Sequence, residues 1–280
     1  MPLFDRVTIV GLGLIGGSLG MVIRCHRLAR EVVGYSRKPS TIRRALQRGD
    51  IDRGSSDLSR AVLDADLVVL ATPVEMIVPF AKQAAIAMRA GGILTDVGSS
   101  KGAIARALER SLPRDVNFVG GHPLAGSEQR GLNAADAALF DDSVCLLTAT
   151  PRTNRRALRV VKRLWSSIAR HVVVMSPQRH DQLLAATSHL PHLIAYNLMA
   201  TASRDGLAIA PRSFLDATRV AKSDPELWDE IFLGNRAPLL LAMSRFERHW
   251  RALRKRLIRG NRGALRRLLA RAQSRRNALD

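Results

Sequence analysis

The 280 residues are 46% hydrophobic, enough apolar material for one large or two ordinary globular domains. There is no run of about 18 uncharged apolar residues, and Asp5 and Arg6 stand where a signal sequence would be apolar, so the expectation is a cytoplasmic protein without a membrane span. The formal net charge is +20, and only two cysteines, Cys25 and Cys145, stand far apart without a metal-ligand spacing, which argues against a disulfide framework and a zinc site.

Arg6 to Val10 is a β-branched run that feeds into Gly11-Leu12-Gly13-Leu14-Ile15-Gly16 and then a helical stretch to about Leu28. Strand, glycine turn and helix in this order form a dinucleotide-binding fingerprint. Gly11 takes the tight turn, Gly13 lets the backbone approach a pyrophosphate, Gly16 lets helix and strand pack closely, and Leu14 and Ile15 open the helix whose N-terminus faces the anion.

The next strand, Glu31 to Tyr35, ends at Ser36 and Arg37 followed by Lys38, Ser40 and Thr41, where an NAD-selective site would place a carboxylate. A hydroxyl and a guanidinium can hold a 2′-phosphate that a carboxylate would repel, so the preferred cofactor is NADP. The alternative makes Arg37 and Lys38 solvated turn charges and admits NAD as well.

Ala65 to Ala71 reads as a buried strand ending in Thr72-Pro73, and Gly92 to Val97 as another ending in Gly98-Ser99-Ser100-Lys101. Asn117 to Val119 is a third, delivering a turn at Gly120-Gly121-His122-Pro123. Ligands of an open parallel sheet gather beyond the carboxyl ends of its strands, so Thr72, Pro73, Ser99 and His122 should line one rim with the glycine loop. Ser99 and Ser100 also suit the cap of a helix beginning near Gly102, and His122 equally suits a plain strand-terminating turn.

Strands at Ser143 to Thr148 and His171 to Met175, with a helix around Arg155 to Ile168 between them, close the first domain. The expected fold is therefore α/β: a Rossmann-type doubly wound sheet over 1–176, then an all-helical domain over 177–280. In that second half, Ser188-His189-Leu190-Pro191-His192 puts two histidines and a proline into a helical pattern, and no companion cysteine or HExxH pattern supports a metal there. Asp216-Ala217-Thr218-Arg219 offers a guanidinium for a carboxylate, or an i, i+3 ion pair on a helix end, ahead of an Asp224-Pro225 helix start. Thirteen Lys or Arg against two acids fall between Arg245 and Asp280. Leucines at helical spacing, with no aromatic residue beyond Trp250, favour a solvated helix face over nucleic-acid binding.

Gly11 to Gly20, Ala71-Thr72-Pro73, Asp96 to Lys101, Gly120 to Glu128, Leu139-Phe140, Ser188 to His192, and Asp216 to Arg219 with Ser223-Asp224-Pro225 together resemble the prephenate and arogenate (cyclohexadienyl) dehydrogenase family. The resemblance implies oxidative decarboxylation in tyrosine biosynthesis: hydride leaves the ring carbon bearing the hydroxyl, carbon dioxide leaves the opposite carbon, and the ring becomes aromatic. It also implies His122 as the base for the ring hydroxyl, with Ser99 orienting His122 and the nicotinamide end. Glu128 would shape access to the pocket, and His189, Arg219 and Asp216 would face the substrate's carboxylates and side chain. A homodimer through the helical domain, and no appended regulatory domain, complete what it implies. The lead-in Pro211-Arg212-Ser213-Phe214-Leu215 departs from the glycine-rich stretch common in relatives. Two competing readings are an NADP-dependent reductase of small 2-hydroxy acids or imines, which would use a lysine of the helical domain, and a nucleotide-sensing regulator that binds nucleic acid through the basic tail.

Overall fold

The computed structural model describes residues 1–126 and 129–279. Eight strands form one sheet: β1 Phe4–Val10, β2 Ala29–Tyr35, β3 Arg53–Ser55, β4 Leu67–Leu70, β5 Ile93–Asp96, β6 Asn117–Pro123, β7 Val144–Thr148 and β8 His171–Met175. Their spatial order is β3-β2-β1-β4-β5-β6-β7-β8. The first six run parallel, so the ends of β1, β4, β5 and β6 that follow the chain direction share one rim. β7 then runs antiparallel to β6, and β8 parallel to β7.

Both faces of the sheet are covered, and strand periodicity divides the core between them. Val7, Ile9, Leu67 and Val69 point into one cluster with Leu19, Ile23, Phe140 and Trp165. Val10, Val68, Leu70 and Leu94 point into the other with Phe80, Ile104 and Leu108. Trp165 is fully buried and meets Phe140 edge to face at 5.6 Å, and each fully buried apolar side chain of this kind contributes about 1.5–3 kcal/mol.

Three local features differ from the sequence reading. The helix after the glycine loop, Leu14–Cys25, stops short of Leu28 because Arg27 takes the left-handed conformation (φ 53°) and reverses the chain into β2. β6 continues through His122 to Pro123 instead of turning at Gly120, because β7 offers it a second, antiparallel partner from Gly120 to Pro123. The helix Gly102–Ser111 is not capped by Ser99 or Ser100: the Asp181 carboxylate accepts the N–H groups of Lys101 and Gly102, both at 2.8 Å, from across the molecule.

From Pro177 onward the described residues are helical, in segments Pro177–Leu184, Leu190–Thr201, Arg204–Ala208, Arg212–Thr218, Pro225–Gly234, Arg236–Ile258 and Arg262–Asn277, joined by π-helical and 3-10 turns and short links. Asp224 caps the helix that Pro225 begins, accepting the Glu226 N–H at 2.9 Å. The last helix buries none of its residues, and no described helix is long and apolar enough to cross a membrane.

Candidate active site

The glycine loop opens the rim. Gly11 sits at φ 101°, and a Cβ there would lie 2.4 Å from the Ala71 carbonyl oxygen; one on Gly16 would lie 1.9 Å from the Gly11 carbonyl oxygen. Gly13, at the start of the helix Leu14–Cys25, instead has open space where its Cβ would be. Crowded glycines on both sides of an open one, at the N-terminus of a helix, form a cradle that fits a dinucleotide pyrophosphate. At the end of β2, Ser36 Oγ accepts the Lys38 N–H at 3.2 Å, and the adjacent Arg37 side chain is exposed.

Asp96, at the end of β5, ties the rim together. It is fully buried, accepts the N–H of Gly98 at 3.0 Å and of Gly121 at 3.1 Å, and pairs with the buried Lys101 ammonium. Burial pushes the Lys101 pKa down, and the attraction of Asp96 works against that shift. The salt bridge is desolvated on both sides and fixes the Asp96 carboxylate at the end of β5, and the Gly121 N–H bond to that carboxylate ties β6, the strand that carries His122, to it.

His122 is half-buried on this rim, with a ring nitrogen engaged: Nδ1 lies 2.9 Å from Nε2 of His180. His180 is fully buried, and its Nδ1 lies 2.9 Å from the Asp181 carboxylate. Asp181 is therefore shared between a helix cap in the first domain and a histidine of the second. Burial opposes the Asp181 charge, but the hydrogen bonds from His180, Lys101 and Gly102 outweigh it and hold the carboxyl below its ordinary range. The His122 pKa lies well below 6.5 because of burial first, then of His180, Lys101 and His189, so its ring is neutral at neutral pH.

The helical domain supplies the opposite wall. A π-helical turn, Ala185–His189, breaks the helix and turns His189 inward, and Pro191 follows at the second residue of the next helix, where its missing N–H costs little. His189 is buried, receives Asn235 Nδ2 on its Nδ1 at 3.1 Å, and meets Trp228 edge to face at 6.1 Å. Burial pulls its pKa down to about 4. His192 stacks on the other part of Trp228 at 3.5 Å. Close packing joins the two walls: a Cβ on Gly234 would lie 3.1 Å from Ser100 Oγ.

The sequence-derived candidates are distributed unevenly around this site. Ser99, Thr72 and Pro73 stand on the rim, with Ser99 half-buried; the partner of His122 Nδ1 is His180. Arg219 is exposed in the turn Arg219–Lys222, close enough to His192 to lower its pKa, which burial lowers more. Asp216 is also exposed, and its ion pair is with Arg212 at 4.0 Å in place of the i, i+3 pair with Arg219. Glu128 lies outside the described residues. His180, Asp181 and Asn235 escaped the sequence reading; the adjacent His-Asp on the first helix after the last strand is the local signal that could have drawn attention to them.

A Rossmann sheet with an open glycine cradle, closed at its rim by a helical domain that brings buried histidines to the strand ends, defines a two-domain nicotinamide-dependent oxidoreductase. The chain matches the family model described as prephenate dehydrogenase, nucleotide-binding domain, over residues 19–174, and that of the prephenate dehydrogenase dimerization domain over 176–271. It is 36% identical to the cyclohexadienyl dehydrogenase of Zymomonas mobilis, over 88% of this chain and 86% of that protein, and 34% identical to the prephenate dehydrogenase of Bacillus subtilis, over 84% of this chain and 66% of that one. The crystal structure of Aquifex aeolicus prephenate dehydrogenase with hydroxyphenyl propionate and NAD+ superposes with a TM-score of 0.91 at 31% identity, covering 99% of this chain and 98% of that one. The chain belongs to the prephenate dehydrogenase family.

Proposed function

We propose that this protein oxidatively decarboxylates prephenate, arogenate or both in tyrosine biosynthesis, with His122 as the base for the ring hydroxyl. The observation that carries the reading is a histidine at the end of β6, on the same rim as the glycine cradle, with its Nδ1 2.9 Å from a buried histidine of the helical domain. A nicotinamide cofactor, when bound, supplies the hydride acceptor. Gly11, Gly13, Leu14, Ile15 and Gly16 would hold its pyrophosphate, Thr72, Pro73 and Ser99 its nicotinamide end, and Ser36 and Arg37 its ribose.

His122 takes the hydroxyl proton as the carbon beneath it is oxidised. The opposite carboxylate then leaves as carbon dioxide, and its bonding electrons complete the aromatic ring, so the protein's task is to position the reactants and hold one proton. His189 and the exposed Arg219, with Asp216, would face the polar and carboxylate groups at the far end of the substrate. The absence of a carboxylate after β2 supports NADP as the preferred cofactor. A homodimer through the helical domain is supported by its exposed apolar side chains, among them Ile209, Leu233, Leu240, Leu241, Trp250 and Ile258.

The test is to follow reduced nicotinamide with prephenate or arogenate and either NAD or NADP; no turnover with any combination rejects the reading. His122→Asn should bind cofactor normally but turn over about 10²–10⁴-fold more slowly. Unchanged turnover removes His122 as the base.

A further inference from the structure

Three side chains from two domains stand in line: His122 Nδ1 to His180 Nε2 at 2.9 Å, and His180 Nδ1 to the Asp181 carboxylate at 2.9 Å. His180 has no exposed surface, and Asp181 is 6% exposed, so bulk water does not compete for these bonds. The line has a direction. Asp181 also accepts the N–H groups of Lys101 and Gly102, one on each oxygen, which favours its ionised carboxylate. A carboxylate can only accept, so His180 Nδ1 carries a hydrogen. In the neutral ring the lone pair then lies at Nε2, and the partner that meets it, His122 Nδ1, must donate.

We propose that His180 and Asp181 are positioning residues that fix His122 as the Nδ1-protonated tautomer, so that its Nε2 lone pair is the one offered to the substrate hydroxyl. This rests on His122 being the base. The same line has a second consequence once the proton has moved: the His122 imidazolium, in surroundings where burial and then His180 and Lys101 disfavour positive charge, keeps a hydrogen bond from Nδ1 to His180 Nε2, on a ring that is itself held by a carboxylate. The helical domain thereby supplies the tautomer of a base that the first domain carries, and Asp181 joins that duty to its cap on the helix Gly102–Ser111. Turnover is thus tied to correct docking of the two domains.

The decisive measurement is a long-range 15N–1H spectrum of the full chain labelled with 15N-histidine, with His122 assigned by comparison with His122→Asn. The expected result is a protonated Nδ1 and a bare Nε2 on His122; a His122 protonated at Nε2 overturns the proposal whether or not any variant folds. Kinetically, His180→Leu should lower kcat about 10–100-fold with little change in KM. His180→Gln can place its side-chain carbonyl where Nε2 stood and should recover much of that loss. Wild-type kcat in His180→Leu, or equal losses in both variants with the His122 spectrum unchanged, overturns the positioning role. If His122→Asn keeps full turnover while the spectrum is as expected, it is the base assignment that fails, and the tautomer assignment stands alone.

Discussion

Asn235 bridges two groups with one amide: its Nδ2 donates to the Asp181 carbonyl at 2.8 Å and reaches His189 Nδ1 at 3.1 Å. Both hydrogens of the NH2 group are used, and His189 is left with its hydrogen on the other ring nitrogen, the form in which it donates to a ligand. Asn235→Leu keeps the volume but strands a buried carbonyl and a buried ring nitrogen. It also removes the Asn235 Oδ1, which has no partner among the described residues. Two losses against one relief give an expected destabilisation of about 1–3 kcal/mol. A lower urea midpoint with an unchanged slope would show it; an unchanged midpoint would mean that the bridge contributes nothing.

The glycine loop separates folding from binding. Gly16→Ala would place its Cβ 1.9 Å from a backbone oxygen, which no rotamer can relieve, and should destabilise the first domain by more than about 3 kcal/mol. Gly13→Ala meets nothing within 4 Å and starts from an allowed backbone conformation (φ −96°), so its melting midpoint should stay close to wild type. Its methyl group nevertheless occupies the space left for the pyrophosphate, and nucleotide affinity should fall about 10-fold or more, as calorimetry can measure. Equal effects of the two substitutions on stability would contradict this division.

What the sequence made legible is local. The apolar runs of β1 and β4, the glycine turn before Leu14 and the Asp224-Pro225 helix start each state their structure within a few residues, and the structure has all three. The path of β6 past Gly120 was not legible, because it depends on β7, a strand that begins more than twenty residues later. The cap on Gly102–Ser111 was still less so: Ser99 and Ser100 stand in the right place for it, yet the Asp181 carboxylate arrives from 79 residues away and takes the N–H groups first. His122 could be singled out from its glycines and proline, whereas His180 acquires its meaning only when the helical domain docks. Long-range pairing decides each of these, and no local propensity records it.

The proposed preference for NADP rests on the exposed guanidinium of Arg37, beside a Ser36 hydroxyl engaged with the Lys38 N–H. A charge-assisted hydrogen bond to a 2′-phosphate is worth about 1.5–3 kcal/mol, so Arg37→Ala should lower kcat/KM for NADP about 10–100-fold and leave that for NAD nearly unchanged. Parallel initial-rate measurements with both cofactors decide the matter. Equal losses for NAD and NADP would mean that Arg37 does not read the phosphate.

Acid should unfold this protein through its buried histidines. His189 is held at about 4 against an ordinary 6.5, and His122 also lies well below that value. In this window the unfolded chain binds protons that the folded chain refuses, so the stability present above 6.5 is lost as pH falls toward 4 and the loss levels off below the folded values. Each such histidine contributes a slope of up to about 1.4 kcal/mol per pH unit. Urea unfolding at a series of pH values between these limits should therefore show a steep decline in the wild type. His189→Gln cannot titrate, so it should decline less steeply by one proton's slope, even if its stability at neutral pH is lower. A wild-type stability that stays flat across the window would mean that His189 is solvated and titrates normally, and the dry contact with Trp228 and Asn235 that forms this wall of the site would not survive in solution.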